Sequence, residues 1–223
     1  MIEWDGSLTR TIDYEFIRSF LLDLADVVME QSDALNKMDA ECGDGDFGVA
    51  MQIGFRNVQR AILESRNNDI GSLLKTAGQQ ILSSVGGASG PLFGILFIEA
   101  GKAVAGKQEI GVADLAGMFE NSLAKIRLRG EARVGDKTLV DALEPAVSAL
   151  GHAADNGVYL AQASKMGAEA AKTGAESTKN LIAKHGKARY LGEQTLGHED
   201  PGAHVIRLVF ETLSKCCSAD VVT

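Results

Sequence analysis

The sequence predicts an all-α fold of about eight helices in one domain spanning residues 1–223. Apolar residues recur at helical spacing along most of the chain, which is typical of amphipathic helices. No segment alternates apolar and polar residues as a half-buried strand would. Many of the 25 glycines fall in clusters between the periodic segments, where helices are expected to begin.

Four helices are predicted in the first half of the chain. The first begins near Asp13, a residue type that caps helix N-termini, and the second begins near Asp46. The third spans about 71–84. The fourth spans about 91–104 and is apolar on nearly all sides, which predicts a central position, and Pro91 suits its first turn.

Four further helices are predicted in the second half. The fifth spans about 112–128 and the sixth about 138–154. The seventh spans about 159–184 and is rich in alanine, whose small side chain allows close helix packing. The eighth begins at 200–201 with an Asp-Pro pair and carries a hydrophobic face.

The composition is that of an ordinary globular protein, with 45% hydrophobic and 23% charged residues. Lys and Arg number 22 against 30 Asp and Glu, so the net charge of −8 argues against binding to nucleic acid. The N-terminus lacks a signal pattern, and the longest apolar run is far shorter than the ~20 residues of a membrane span. Three cysteines, two of them adjacent, indicate no disulfide framework. We therefore expect a cytoplasmic protein that binds neither nucleic acid nor membrane.

An acidic, glycine-rich loop at 38–48 is the strongest local feature. It carries four acids and no basic residue, and a tight turn would bring these like charges within a few ångströms of one another. Such a cluster favours a hard cation with oxygen ligands, Mg²⁺ or Ca²⁺. The alternative is that Asp46 caps the second helix and the other acids are merely solvated.

Common nucleotide and metal motifs do not explain the glycine-rich loops. The G-x-G-x-x-G spacing after Cys42 follows a helix, not a strand. An EF-hand would need Glu at Phe55, and a Walker A loop would need Lys at Asp136. The loop at 86–90 opens an apolar helix and is suited to bind a phosphate through backbone amides. The alternative there is a turn required only for helix packing.

Four segments, taken in order, resemble the nucleotide-binding subunit of the dihydroxyacetone kinase family. The resemblance covers roughly residues 13–215. The segments that carry it are the acidic loop 38–48 (MDAECGDGDFG), the glycine loop 83–94 (SSVGGASGPLFG), Gly130 with 135–141 (GDKTLVD), and 188–192 (ARYLG) with 197–203 (GHEDPGA).

The resemblance implies an antiparallel barrel of about eight helices with ADP or ATP bound at one end. It implies that three carboxylates hold two Mg²⁺ ions that bridge the phosphates: Asp39, Asp44 and Asp46. It implies that three residues contact phosphate: Gly87, Ala88 and Ser89. It places two residues near adenine and ribose, Gly130 and Leu139, and three in a loop that closes the site, Asp200, Pro201 and Gly202.

The sequence departs from the family at the start of the second helix. Phe47 stands where relatives carry His, Thr or Cys, and Ala50 stands where they carry Asn. Because neither side chain hydrogen-bonds a phosphate, the expected contacts there are the backbone amides of Phe47, Gly48, Val49 and Ala50. Lys187 stands where some relatives have Arg, so the charge is kept without the bidentate geometry.

The resemblance implies phosphoryl transfer to dihydroxyacetone held on a separate sugar-binding kinase subunit. We therefore assign no catalytic residue in this chain and expect it to be inactive alone. Two donors remain open: ATP, or bound ADP rephosphorylated by a phosphotransferase-system protein. The alternatives are a kinase subunit for another acceptor, such as erythrulose or a fatty acid, and a non-enzymatic nucleotide-sensing module. A homodimer also remains open.

Overall fold

The computed structural model describes residues 11–66 and 68–219, and within them the all-α prediction is confirmed. Nine α-helices are present in these ranges: α1 (Tyr14–Glu30), α2 (Ser32–Cys42), α3 (Phe47–Glu64), α4 (Ile70–Ser84), α5 (Ser89–Ala103), α6 (Val112–Gly130), α7 (Leu139–Asp155), α8 (Leu160–Ser177) and α9 (Pro201–Ala219). Two short strands, β1 (Thr11–Asp13) and β2 (Glu109–Gly111), pair antiparallel. Two 3₁₀ segments, Thr178–Asn180 and Ala188–Thr195, lie between α8 and α9.

Eight of these helices form a closed ring of contacts. From α3 to α9, each helix packs against the next along the chain, while α1 packs against both α3 and α9. The short helix α2 packs mainly against α3. The ring brings the connections between helices to its ends, where a ligand site can be assembled from loops distant in sequence. The antiparallel barrel implied by the resemblance stays a prediction.

The helix bounds differ from the predicted ones in three places. Helix α2 was not predicted, because its sequence is polar and few of its residues are buried. Helix α5 begins at Ser89, two residues before Pro91, which a first turn still tolerates. Helix α8 ends at Ser177 and not at 184, and a 3₁₀ turn follows it.

The two strands were also not predicted. Each has only three residues, too few to show an alternating pattern. Their single inward pair, Ile12 and Ile110, is buried, so the strands attach the three residues before α1 to the α5–α6 connection. The predicted N-cap of α1 is confirmed, since the Asp13 carboxylate accepts from the Phe16 amide at 2.9 Å.

Helices α4 and α5 approach each other at backbone distance. A Cβ placed at Gly78 would lie 2.6 Å from the Gly94 carbonyl oxygen, and one at Gly101 would lie 2.4 Å from the Gly71 carbonyl oxygen. Only glycine permits this contact at these positions. The close packing sets the position of the 85–88 loop, which joins the two helices. None of the described helices has the length and apolarity needed to cross a membrane.

Candidate functional site

Four connections between helices line one cavity of about 380 Å³. They are the α2–α3 loop, the α4–α5 loop, the α6–α7 loop and the segment between α8 and α9. The volume lies within the range of small-molecule sites in proteins. The same four connections carry the motifs that the sequence analysis singled out.

The three predicted carboxylates lie together on the wall of this cavity. Asp39, Asp44 and Asp46 each offer an oxygen, and these three oxygens lie within 4.8 Å of one another. The Asp39 Oδ2 atom accepts the backbone amides of Gly45, Asp46 and Phe47 at 2.9, 3.1 and 3.2 Å. Asp39 therefore organises the turn that carries the other two carboxylates.

The glycines of this turn have separate local reasons. Gly45 has a φ of +76°, a conformation that side chains other than glycine rarely adopt. A Cβ at Gly43 would lie 2.4 Å from the Asp39 Oδ1 atom, so a side chain there would displace the carboxylate. Asp46 occupies the N-cap position of α3 but makes no side-chain capping bond. The alternative in which its carboxylate serves only as a cap is therefore not supported.

Lys187 reaches the acidic cluster from the segment between α8 and α9. Its ammonium donates to the Asp44 Oδ2 atom. This hydrogen bond lowers the pKa of Asp44 and raises the pKa of Lys187. Asp44 is therefore held in its charged form, and one cation of the chain already lies against the cluster. Three oxygens at this separation suit a hard divalent cation such as Mg²⁺.

The glycine loop forms another wall of the cavity, beside the N-terminus of α5. Gly86, Gly87, Ala88 and Ser89 line the cavity, and no side chain caps this helix. Gly87 has a φ of +68°, and no atom lies within 4 Å of where its Cβ would be. Because the first amides of a helix lack intrahelical acceptors, this wall is suited to bind an anionic group.

The α6–α7 loop supplies a buried polar wall. Lys137 is only 3% exposed, and its ammonium donates to the carbonyl oxygens of Thr178, at 2.6 Å, and His198. Burial lowers the pKa of Lys137. Thr138 caps α7, and its amide donates to Asp141 at 2.7 Å in a capping box.

Asp200 lies on the same wall at the start of α9. Its Oδ2 atom accepts from the Ala203 amide at 2.7 Å, as in a helix cap. Burial of the Asp200 carboxyl raises its pKa to about 7, against the lowering effects of that amide and of Lys137. This part of the cavity is therefore less anionic than its acidic residues alone would suggest.

Most of the residues named for the site from the sequence line the cavity. These are Asp39, Asp44, Asp46, Phe47, Ala50, Gly87, Ala88, Ser89, Leu139, Lys187, Asp200, Pro201 and Gly202. Gly48, Val49 and Gly130 do not line it. Gly48 is required for packing, because a Cβ there would lie 2.0 Å from the Ser32 carbonyl oxygen of α2. Gly130 lies behind the wall, where its Cβ would contact Leu92 at 3.5 Å.

Phosphate binding by the backbone amides at 47–50 stays a prediction, and three of these four amides already have acceptors in this structure. The Phe47 amide donates to Asp39, the Val49 amide to the Asn36 side chain, and the Ala50 amide to the Asp46 carbonyl oxygen. These donors are already used within the protein. The Phe47 ring instead packs against Phe93 with a centroid separation of 6.4 Å.

Several further lining residues were not named individually as site residues from the sequence. They are Cys42, Gly43, Val85, Gly86, Leu92, Phe93, Lys137, Thr138, His185, Gly186 and Ala188. The Thr138-x-x-Asp141 spacing is a capping-box signal that marks the start of α7 next to the cavity. Nothing in the local sequence marks Lys137 or His185, because their partners lie 40 or more residues away.

Comparison with known proteins places this chain in a family. The model of the family described as "DAK2 domain" matches residues 41–215. The chain is 39% identical over 210 residues to the ADP-binding subunit of PEP-dependent dihydroxyacetone kinase 2 of Listeria innocua, covering 92% of this chain and 97% of that protein. It is 36% identical over 208 residues to the corresponding subunit of Escherichia coli, covering 93% and 97%.

A solved structure agrees with the sequence comparison. The dihydroxyacetone kinase of C. freundii in its native form superposes with a TM-score of 0.70 at 26% identity, over 93% of this chain and 35% of that one. The same enzyme was also solved in complex with AMP-PNP and Mg²⁺, and superposes with a TM-score of 0.69. The chain spans about a third of that enzyme's length. Fold, motif order and family match agree, and the chain belongs to the DAK2 domain family.

Proposed function

We propose that this chain is the ADP-binding subunit of a dihydroxyacetone kinase and holds a nucleotide with Mg²⁺ in the cavity. The observation that carries the proposal is the meeting of three carboxylate oxygens within 4.8 Å on the wall of a cavity that also contains the uncapped start of α5. An acidic cluster alone repels a diphosphate, whereas one that holds divalent cations attracts it. Relatives at 36–39% identity are named as ADP-binding subunits.

The residues of the cluster fit Mg²⁺. Asp39, Asp44 and Asp46 supply oxygen ligands, and Mg²⁺ in such a site accepts further ligands from water and phosphate. When bound, the ion neutralises the charge that builds up on the transferring phosphoryl group. The expected number of two ions is part of the proposal, supported by three carboxylates that offer more oxygens than one such ion takes from protein.

The chain's own groups position the phosphates. The 87–89 loop presents backbone at the start of α5, and Lys187 stands at the metal site with a charge opposite to that of phosphate. Positioning and electrostatic stabilisation account for most of the catalysis in phosphoryl transfer. Since the chain matches only 35% of the C. freundii kinase, we propose that the acceptor binds to a separate sugar-binding subunit and that this chain is inactive without it.

We further propose that the nucleotide is ADP retained as a coenzyme, rephosphorylated by a phosphoprotein of a phosphotransferase system. The names of the 36–39% identical relatives specify a PEP-dependent kinase, and a relative from Lactococcus lactis at 33% is named PTS-dependent. Erythrulose is the second candidate acceptor, because a Pectobacterium atrosepticum relative at 30% identity is named L-erythrulose kinase. Purified protein that releases ADP on denaturation supports the coenzyme mode, and purified protein without nucleotide that turns over ATP with its partner contradicts it.

The test of the proposed function is calorimetric titration of nucleotide-free protein with ADP in the presence of Mg²⁺. We expect a dissociation constant in the micromolar range or below, and no binding in EDTA. Asp44→Asn should weaken binding at least about 100-fold, since it removes a charged ligand at the metal. The matched control is Asp114→Asn, which changes a partly exposed acid at the start of α6 that pairs with Lys107, and it should bind as the wild type does. Absence of binding by the wild type contradicts the proposal.

A further inference from the structure

Lys137 is a buried lysine on the cavity wall with two backbone acceptors. It is 3% exposed, and its Nζ atom donates to the carbonyl oxygens of Thr178 and His198. Lysine is almost never buried unless its charge is compensated. Here two carbonyl groups that lie 41 and 61 residues further along the chain accept its hydrogen bonds, and nearby acidic side chains, among them Asp200 and Asp141, also favour its charge. The ammonium therefore joins three segments that are distant in sequence.

These contacts fix the backbone that leads into α9. Thr178 accepts from Lys137 through its carbonyl oxygen, and its hydroxyl oxygen accepts from the Asp200 amide at 2.9 Å. The ammonium holds position 198 and the threonine holds position 200, so the chain is held on both sides of position 199. Asp200 in turn accepts from the Ala203 amide at 2.7 Å. The three cavity-lining residues at 200–202 thus depend on a network that begins at the lysine.

The backbone conformation of Lys137 indicates that a lysine occupies this position because of the contacts of its side chain. Its φ is +59°, in the left-handed region that is unfavourable for residues with a side chain. Glycine would adopt this conformation without strain. Contacts of the lysine side chain must offset this strain. The hydrogen bonds that the side chain makes in the structure are those to Thr178 and His198.

The neighbours of Lys137 fasten other parts of the same wall. The Asp136 carboxylate binds Lys184, at 2.8 Å, and His185, at 3.3 Å. Thr138 caps α7. Asp136 and Lys137 thus tie the segment between α8 and α9 to the rest of the cavity at separate points, and the lysine contact is the one next to residues 200–202.

We propose that Lys137 is a positioning residue whose buried ammonium holds residues 198–202 against the nucleotide cavity and thereby sets how slowly nucleotide leaves. The inference takes its ligand, Mg·ADP, from the proposed function. The part that concerns how Lys137 holds residues 198–202 is independent of that function. Lys137 does not need to contact the nucleotide. It acts through the Thr178 and His198 carbonyls, and a loosened 198–202 segment opens one wall of the site.

The first experiment measures the release of a fluorescent ADP analogue with Mg²⁺ by stopped flow. Lys137→Met should raise the dissociation rate about tenfold, the effect expected for losing a hydrogen-bonded buried charge, and should change the association rate by less than about threefold. Lys137→Arg keeps a charged donor and should restore most of the slow release. The matched control is Lys179→Met, which removes an ion pair to Glu199 in the same segment (3.2 Å) but no contact to its backbone, and should release the analogue within about twofold of the wild-type rate.

The second experiment follows backbone hydrogen exchange in nucleotide-free protein. Lys137→Met should speed exchange in peptides covering 198–204 while exchange in α4 and α5 stays unchanged. Should this variant fail to fold, Lys137→Gly replaces it, since glycine relieves the backbone strain while still removing the ammonium. Lys137→Gly should likewise show fast release and local exchange.

The outcomes separate this inference from the proposed function. Wild-type protein that binds no Mg·ADP contradicts the proposed function and the nucleotide part of the inference, while the exchange data still decide the structural part. Wild-type protein that binds ADP, with Lys137→Met releasing it at the wild-type rate, overturns the positioning role alone. A uniform rise in exchange over the whole ring also overturns it, because that result indicates general destabilisation.

Discussion

The ammonium of Lys187 donates to the carboxylate of Asp44 across 143 residues of sequence. Both side chains are substantially exposed, so the pair contributes little to folding. The ion pair matters because of its position, since Asp44 is one of three carboxylates that converge on the cavity wall. Under the proposed function, the lysine competes with a divalent cation for Asp44 while offering a positive charge to phosphate.

Lys187→Met should separate these two effects. Without a competing ammonium, the acidic cluster should bind Mn²⁺ alone about two- to fivefold more tightly, in line with the weak coupling of exposed ion pairs. Binding of Mg·ADP should instead weaken, because a cation beside the phosphates is lost. Electron paramagnetic resonance with Mn²⁺ measures the first affinity and calorimetry the second. Lys102→Met, which removes an exposed ion pair to Glu99, is the control, and an unchanged Mn²⁺ affinity in Lys187→Met contradicts the competition.

Asp39 and Asp44 are expected to differ in what they do for folding. Asp39→Ala leaves three backbone amides of the turn without their acceptor, which should cost about 1–3 kcal/mol. In a chain of this length the melting temperature should then fall by about 5 °C. Asp44→Ala removes only an exposed ion pair and should melt within about 2 °C of the wild type. Both variants should lose Mg·ADP binding.

Asp39→Asn separates the role of Asp39 as an acceptor for the turn amides from the role of its charge. Its side-chain carbonyl oxygen can still accept the amides, so thermal stability measured in EDTA should return close to the wild-type value. Metal binding should remain weak, because the negative charge is gone. Equal melting temperatures for Asp39→Ala and Asp44→Ala would show that the turn does not depend on Asp39.

The acidic cluster was predictable from sequence because its cause is local. Asp39, Asp44 and Asp46 lie within eight positions, and the glycines among them permit a tight turn. The positions of the main helices were predictable for the same reason, since the apolar period is a property of each segment by itself. Asp13 could be assigned as a cap because capping is decided within one turn.

The buried lysine, by contrast, was not predictable. Lys137 was noted only as part of the 130–141 segment, which fails the Walker A pattern and carries part of the family resemblance, and its partners come from beyond α8. The acceptors of the amides at 47–50 were missed for a similar reason, because Asn36 and Asp39 on the unpredicted helix α2 already accept two of them. Where a side chain or amide finds its partner outside its own helix or loop, only the folded structure shows which residue that partner is.

The buried carboxylate of Asp136 predicts an acid-dependent loss of stability. Burial opposes its ionisation, but hydrogen bonds from Lys184, the Arg133 amide and His185 lower the pKa of Asp136 from 3.8 to about 2. A lowered folded-state pKa stabilises the fold above pH 4, and this contribution is lost as the pH falls from about 4 to about 2. We expect it to be about 1–2 kcal/mol, a reduced value because the Lys184 side chain is half exposed.

Urea unfolding of Asp136→Asn and wild-type protein at several pH values measures this contribution. The difference in unfolding free energy should be largest at pH 5–7 and shrink by about 1–2 kcal/mol towards pH 2. Lys184→Met removes the strongest favourable partner and should flatten the same pH dependence. A difference that is constant from pH 6 to pH 2 would contradict the assignment to Asp136.

Helices α7 and α8 pack so closely at Gly174 that a single methyl group should disrupt them. A Cβ there would lie 2.2 Å from the Asp141 carbonyl oxygen and 2.9 Å from the Ala142 Cα atom, and backbone cannot move aside as a side chain can. Gly174→Ala should therefore lower the unfolding free energy by about 2–3 kcal/mol. Gly151→Ala, within α7, meets no atom within 4 Å and should raise it by about 0.5–1 kcal/mol through helix propensity. Urea titrations of both variants measure the opposite changes in unfolding free energy. Because Asp141 also accepts the Gly135 amide beside the cavity, only Gly174→Ala should weaken Mg·ADP binding.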